Sequence, residues 1–223
     1  MAFRNIKISV HPSLFLRDPA ETELGRNLVK ESISMIDTHG FEWFTFKKLA
    51  EGLSSTESSI YRYFENKHQL LSYLIGRYWG WLRFRIEFEN RNLTDSKIKL
   101  LNIIALLATP SDNFPETGVD EAALHRIVVA EGSKVFLTRI VDELNREGMF
   151  TEYKMLCQSI ADVVHECNIQ YPYPHALASM LLETSRGQLY FAQHLPAMTD
   201  YPQGEDEYAY VKKYLEQLVF SVL

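Results

Sequence analysis

"SSTESSIYRYFENKHQLL", residues 54–71, sets a run of small hydroxyl side chains before two tyrosines, an arginine and a phenylalanine, with an apolar helix directly after. Local chemistry orders it. Ser54 and Ser55 make a tight turn. Thr56 is placed to cap a short helix running to about Phe64, its hydroxyl accepting an N–H of the first turn. Asn66 caps the next helix, with Gln69 three residues on. Leu70, Leu71, Leu74, Ile75, Tyr78 and Leu82 then follow at helical spacing. Upstream, Thr45 caps "FKKLAEGL", barely two turns long, whose Phe46, Leu49, Ala50 and Leu53 share one side.

A longer helix comes before these two. "DPAE" (18–21) reads as its start, with Asp18 as N-cap, Pro19 in the first position and Glu21 closing a capping box. Leu24, Leu28, Ile33 and Ile36 recur along it, and Gly40 ends it in a left-handed conformation. Two short helices joined by a tight turn and braced by a longer one describe a helix-turn-helix, whose second short helix enters a DNA major groove. Small hydroxyl residues at the start of that helix let its backbone approach the duplex and bond bases or phosphates. Ile60 and Phe64, four apart, face inward. Tyr61 can lay its ring beside a sugar and its hydroxyl on a phosphate.

The remainder also reads as helix. Proline and glycine divide it into "LTDSKIKLLNIIALLA" (93–108), a loop at 110–118, "VDEAALHRIVVAE", "KVFLTRIVDELNRE", "EYKMLCQSIADVVHECN", "HALASMLLETSRGQLYFAQHL" and "EDEYAYVKKYLEQLVFSVL". Only "RNIKISV" (4–10) alternates as a short strand would. The fold class is all-α, about nine helices over 223 residues. The longest apolar run, "IIALLA", is too short to span a bilayer. The first residues lack a signal-peptide pattern, so the expected location is the cytoplasm. Cys157 and Cys167 are ten apart without a CxxC, which suggests neither a disulfide framework nor a zinc site. Net charge is −6, unevenly spread: 12 Lys/Arg against 9 Asp/Glu over residues 1–85, and 11 against 20 beyond. A slightly basic head sits on an acidic body.

The stretch 45–71, above all "IYRYFENKHQLL", resembles the N-terminal pattern of the TetR family of transcriptional regulators. That pattern is a Thr-capped helix, a short turn, a recognition helix ending in Leu/Ile-Tyr-x-His/Tyr-Phe, then a polar pair with Lys and "xxLL". The resemblance covers about residues 20–75. It implies a domain order of an N-terminal arm (1–18), a helix-turn-helix DNA-binding domain (19–70) and an effector-binding and dimerisation domain (71–223). It further implies that Thr45, Tyr61 and Lys67 contact phosphates, that Thr56, Glu57, Ser58, Ser59 and Arg62 lie nearest the bases, and that Tyr63, where the family often has His, contacts the backbone. One departure stands out. The family commonly has Ala-Gly-Val-Ser between the short helices, and this chain has Leu53-Ser54-Ser55-Thr56. A serine with φ > 0 costs about 1 kcal/mol, so either the turn is built differently or it is slightly strained.

The long helix that Asn66 caps is aromatic nearly all round: Tyr73, Tyr78, Trp79, Trp81, Phe84 and Phe88. Core packing accounts for most of these. By the resemblance, Trp79, Trp81 and Phe84 line a pocket for a small apolar or aromatic effector. The last two long helices, 175–195 and 205–223, form the expected homodimer interface, with Tyr208, Val211, Leu215, Leu218 and Val222 as its stripe. No GxSxG, HExxH or Walker loop is present, and His165, Glu166 and Cys167 fall on different faces of a helix, so neither enzyme nor metal nor cofactor is expected. The expected function is a ligand-responsive repressor of a pseudo-palindromic double-stranded operator. The alternative is an all-α ligand-binding or interaction module whose helix-turn-helix does not bind DNA.

Overall fold

The computed structural model describes Ile8, residues 10–110 and residues 119–223. The strand expected over 4–10 and the loop at 110–118 therefore lie almost wholly outside the described residues. Among those residues there are ten α-helices and no strand: α1 Glu23–His39, α2 Phe46–Gly52, α3 Glu57–Ile60, α4 Lys67–Asn90, α5 Ser96–Ala108, α6 Glu121–Glu131, α7 Val141–Arg146, α8 Thr151–Cys167, α9 Pro174–His194 and α10 Glu207–Phe220.

Helix starts follow side-chain caps. Thr45, Thr56, Asp95, Asp120 and Asp206 each accept a first-turn N–H, which satisfies donors that the helix itself leaves orphaned. Asn66 Oδ1 takes the Gln69 N–H at 2.9 Å, while Gln69 Oε1 reaches back to the Glu65 N–H at 2.8 Å. Asp18 differs from the expectation. It caps only the 3-10 turn Pro19–Glu21, and α1 starts after it with Thr22 as cap. The extended backbone of Thr22 separates the two, and Gly25 sits so tightly on Pro19 that a Cβ would come 2.4 Å from its carbonyl oxygen. "KVFLTRIVDELNRE" also differs, because only 141–146 of it is α-helical. Leu137 and Ile140 are 76% and 53% exposed, so the stretch between has no buried face to hold a helix.

The chain divides into two compact units. The first holds the described residues up to Gly80 and those from Val119 to Glu152. Its core is built from Leu28, Ile33, Ile36, Phe41, Phe44, Leu49, Ile60, Phe64 and the first turns of α4. α6 packs on α1. The Arg126 guanidinium forks onto the Asp37 carboxylate, with Nε and a terminal nitrogen at 2.8 and 2.7 Å. His125, beside it in sequence, is buried, and burial followed by the Arg126 charge pushes its pKa down to about 4.

The second unit runs from Trp81 to Pro110 and from Tyr153 to the C-terminus. α5, α9 and α10 pack against one another. Tyr153 donates its phenol to Glu183 at 2.6 Å. Burial, and then that carboxylate, push its pKa up. Val211, Leu215 and Val219, spaced by four along α10, are each 0% exposed within the chain. This corrects the expected dimer stripe: Val211 and Leu215 are core residues of the folded chain. Tyr208 and Leu218 are half-buried, and Val222 is exposed.

Two tests follow from this packing. Replacing Leu215 by Lys buries a charge that has no water, so global stability in urea should fall by at least about 3 kcal/mol, measured at any protein concentration. Retained stability with a simple shift to monomer would contradict the core placement. His125 binds a proton more readily in the unfolded chain than in the folded one. Its contribution is therefore present above pH 6.5 and is lost as pH falls toward about 4, a change of about 3 kcal/mol. Urea midpoints between pH 7.5 and 4.5 should fall steeply in the wild type and less so in His125→Gln.

Candidate nucleic-acid interface

α2 ends in a Schellman motif. The Ser55 N–H donates to the Ala50 carbonyl at 2.9 Å and the Ser54 N–H to that of Glu51 at 3.1 Å. That pattern demands a left-handed residue just past the helix, and Ser54 supplies it at φ 49°, the only non-glycine with positive φ among the described residues. The turn is thus slightly strained. Gly52, the last residue of α2, faces the flexible end of the Met35 side chain on α1, 2.6 Å from where a Cβ would stand.

The turn delivers α3 with a polar outer face. Thr56 Oγ1 lies 2.9 Å from both Ser58 Oγ and Ser59 Oγ, and the Ser59 N–H donates to it at 3.3 Å. Glu57, Ser58 and Arg62 are exposed, as is Thr45 at the start of α2, and Ser59 is half-buried. Ile60 and Phe64 are 0% exposed and fix the inner face. Tyr61 stands half out, its ring edge-on to Phe46 at 5.1 Å, leaving the hydroxyl outward of an apolar support.

Two expected contacts are corrected. Tyr63 is only 2% exposed and its hydroxyl is joined to Thr22 Oγ1 at 2.6 Å, so it braces α3 from within. The α-helix also stops at Ile60, with a turn over 61–63. The Lys67 ammonium points inward. It donates to the carbonyls of Phe41, Phe44 and Glu42 at 3.1, 3.3 and 3.5 Å and lies 4.5 Å from the Phe41 ring centre. Three donors meet three carbonyl acceptors of the turn after α1, which explains the direction of the side chain. Lys48 is similarly folded back onto Trp43, 3.5 Å from its ring centre. The sequence reading missed Lys47, an exposed cation two residues after Thr45 with no ion-pair partner among the described residues. The signal was available: α2 buries 46, 49 and 50, so 47 must face outward.

The residues expected to line an effector pocket are divided. Trp79 and Trp81 are 5% and 3% exposed. Phe84 is half-buried and stacked between Trp81 and Phe88 at 5.7 and 5.9 Å. None of the three borders the cleft of about 440 Å³ in the first unit, which is lined by Gln69, Leu71, Val135, Thr138, Leu144 and Met149 among others. Among the described residues no three His, Cys, Asp or Glu side chains are placed to hold a metal ion, and no helix is long and apolar enough to cross a membrane.

Residues 28–74 match the family of bacterial regulatory proteins, tetR family. Among solved structures, the transcriptional regulator FadR from Bacillus subtilis, in complex with stearoyl-CoA, aligns at TM-score 0.63 and 17% identity over 88% of this chain and 98% of that one. AibR in complex with isovaleryl coenzyme A and operator DNA aligns at 0.58 and 11%, over 89% and 100%. The superantigen PfiT aligns at 0.60 and 14%, over 93% and 98%. At these identities the likeness establishes the fold. No curated protein matches the chain.

The strained turn is testable by substitution. Ser54→Gly relieves about 1 kcal/mol of steric strain and enlarges the unfolded ensemble by about 0.4–1 kcal/mol. Stability should therefore stay level or rise slightly. Ser54→Val puts a β-branched residue in the left-handed region and should cost about 1–3 kcal/mol. Chemical unfolding of both variants measures this, and a clear loss for Ser54→Gly would overturn the strain.

Proposed function

We propose, from the match of residues 28–74 to the tetR family of bacterial regulatory proteins, that the chain is a dimeric, ligand-responsive repressor that binds operator DNA. The observation that carries the reading is the α2–turn–α3 unit. Its inner face is wholly apolar, and its outer face gathers Thr45, Lys47, Thr56, Glu57, Ser58, Ser59, Tyr61 and Arg62. Hydroxyls and cations on one rigid surface suit phosphate positioning and groove-edge contacts. Thr45, Lys47 and Tyr61 take the phosphates in this reading, and Ser58 and Arg62 the bases. Glu57 sits in the first turn of α3, where the helix dipole favours a carboxylate.

Dimerisation through α9 and α10 supplies the second head. Tyr208, Tyr210, Tyr214 and Leu218 are half-buried on α10 in the single chain, and a second copy would cover them. Two recognition helices must stand about 34–36 Å apart to enter successive major grooves. An effector that prefers another separation shifts the population away from the DNA-competent state. A small apolar or aromatic molecule is the proposed effector. Two similar folds were solved with acyl-CoA molecules bound, which supports a small-molecule effector.

A gel shift against the DNA upstream of the protein's own gene separates this reading from a module that does not bind DNA. A salt-dependent retarded band is expected, and its absence at low salt would refute the proposal. Tyr61→Phe should weaken binding severalfold on every sequence. Lys47→Ala should lower the salt slope by about one. Lys67→Met should leave that slope unchanged and reduce stability instead. Ser58→Ala and Arg62→Ala should alter the preferred site. Light scattering should give twice the 25.9 kDa of the chain.

A further inference from the structure

The segment before α1 lies against the same parts of the first unit that carry the reading head. Leu14 is 0% exposed. It fits over Gly76 of α4, where a Cβ would come 2.9 Å from its Cδ1, and Ile8 fits over Gly80, where a Cβ would come 3.1 Å from its Cγ2. These two glycines, four apart, share one face of α4 and form a shallow track. Phe15 meets Tyr73 edge-on at 6.1 Å.

The polar contacts of the segment converge on the exit of α3. The Leu16 N–H donates to the Tyr63 carbonyl at 2.8 Å. The Arg17 guanidinium lies 5.6 Å from the centre of the Tyr63 ring. The Tyr63 hydroxyl joins Thr22 Oγ1 at 2.6 Å. Gln69 Nε2 donates to the Ser13 carbonyl at 3.2 Å, while its Oε1 holds the Glu65 N–H. At its other end the segment is anchored where α7 gives way to α8. The His11 ring covers Gly148 so closely that a Cβ there would come 2.7 Å from His11 Cε1.

We propose that residues 11–22 are a positioning strap that sets the angle at which α3 is presented, with Tyr63 and Gln69 as its two buckles. The inference rests on the DNA-binding reading for its purpose, but the strap itself is independent of it. Four residues of α-helix cannot fix their own orientation. Ile60 and Phe64 set how deep α3 sits, and the strap fixes the end from which Arg62 projects. Neither Tyr63 nor Gln69 belongs to the proposed contact face.

Two variants of the full chain cut one buckle each. Tyr63→Phe removes the bond to Thr22 and keeps the ring. Gln69→Glu keeps an acceptor for the Glu65 N–H and replaces the donor to Ser13 by a carboxylate oxygen. Amide hydrogen exchange reads the strap without DNA. The amides of Ser59, Tyr61 and Phe64 should exchange at least about fivefold faster in each variant, while those of α6 and α10 keep wild-type rates, as expected of a local opening. In the gel shift, both variants should bind the upstream DNA severalfold more weakly with an unchanged salt slope. Unchanged protection of α3 overturns the strap. Acceleration spread evenly through α1, α4 and α6 also overturns it, by reducing Tyr63 and Gln69 to ordinary stability. Loosened α3 with undiminished DNA affinity overturns the positioning role. A wild type that binds no DNA refutes the repressor reading, and the exchange data then decide the strap alone.

Discussion

A helix of four residues has no stability of its own, and the arrangement of the first unit follows from having to present one. Nucleating a single turn fixes several backbone dihedrals for one hydrogen bond, so α3 depends on what it touches. From below, Ile60 and Phe64 bury fully. At its start, Thr56 supplies a cap, and at its end Tyr63 is bonded through both its carbonyl and its hydroxyl. Depth, start and end are fixed by different neighbours. That leaves the outer face of α3 with two structural duties: the Thr56 hydroxyl serves the cap and stands beside Ser58 and Ser59, and the Tyr61 ring packs on Phe46.

The turn before α3 applies the same economy at a cost. A Schellman motif ends α2 within two residues and satisfies the Ala50 and Glu51 carbonyls. It requires a left-handed residue, which a glycine would take without strain. Ser54 takes it here at φ 49°. The strain of about 1 kcal/mol is small against the hydrogen bonds and burial on either side, so the motif forms regardless. A local penalty is tolerated because the neighbouring helices over-determine the geometry.

The helices were legible where a cap met a periodic apolar face. Thr45, Thr56 and Asn66 act as the sequence indicated, and Gly40 closes α1 at φ 82°. Illegible were the positions where tertiary contact chooses between two plausible roles. A lysine in the first turn of α4 reads as a phosphate ligand; nothing local reveals that three carbonyls of the 41–44 turn stand within its reach. Tyr63 reads as a surface hydroxyl until Thr22, 41 residues away, is found beside it. The stripe of α10 is apolar in either role. Only the packing of α5 and α9 shows that Val211 and Leu215 are spent inside the chain. The Asp18 cap was right in chemistry and wrong in which helical turn it opens.

The division of the chain bears on how the proposed regulator would be switched. The helix-turn-helix, the first turns of α4 and the stretch carrying α6 and α7 belong to one compact unit. Inside that unit the links between head and remainder are specific: the Arg126 fork on Asp37, Lys134 on Glu42 at 2.6 Å, and His11 over Gly148. The exposed pairs among these contribute little energy each, so they orient more than they hold. A change of conformation in α6 or α7 would therefore reach the head through several weak, directional contacts that have alternatives in water. Such contacts re-form at low cost, which is what a two-state equilibrium biased by a ligand of modest affinity needs.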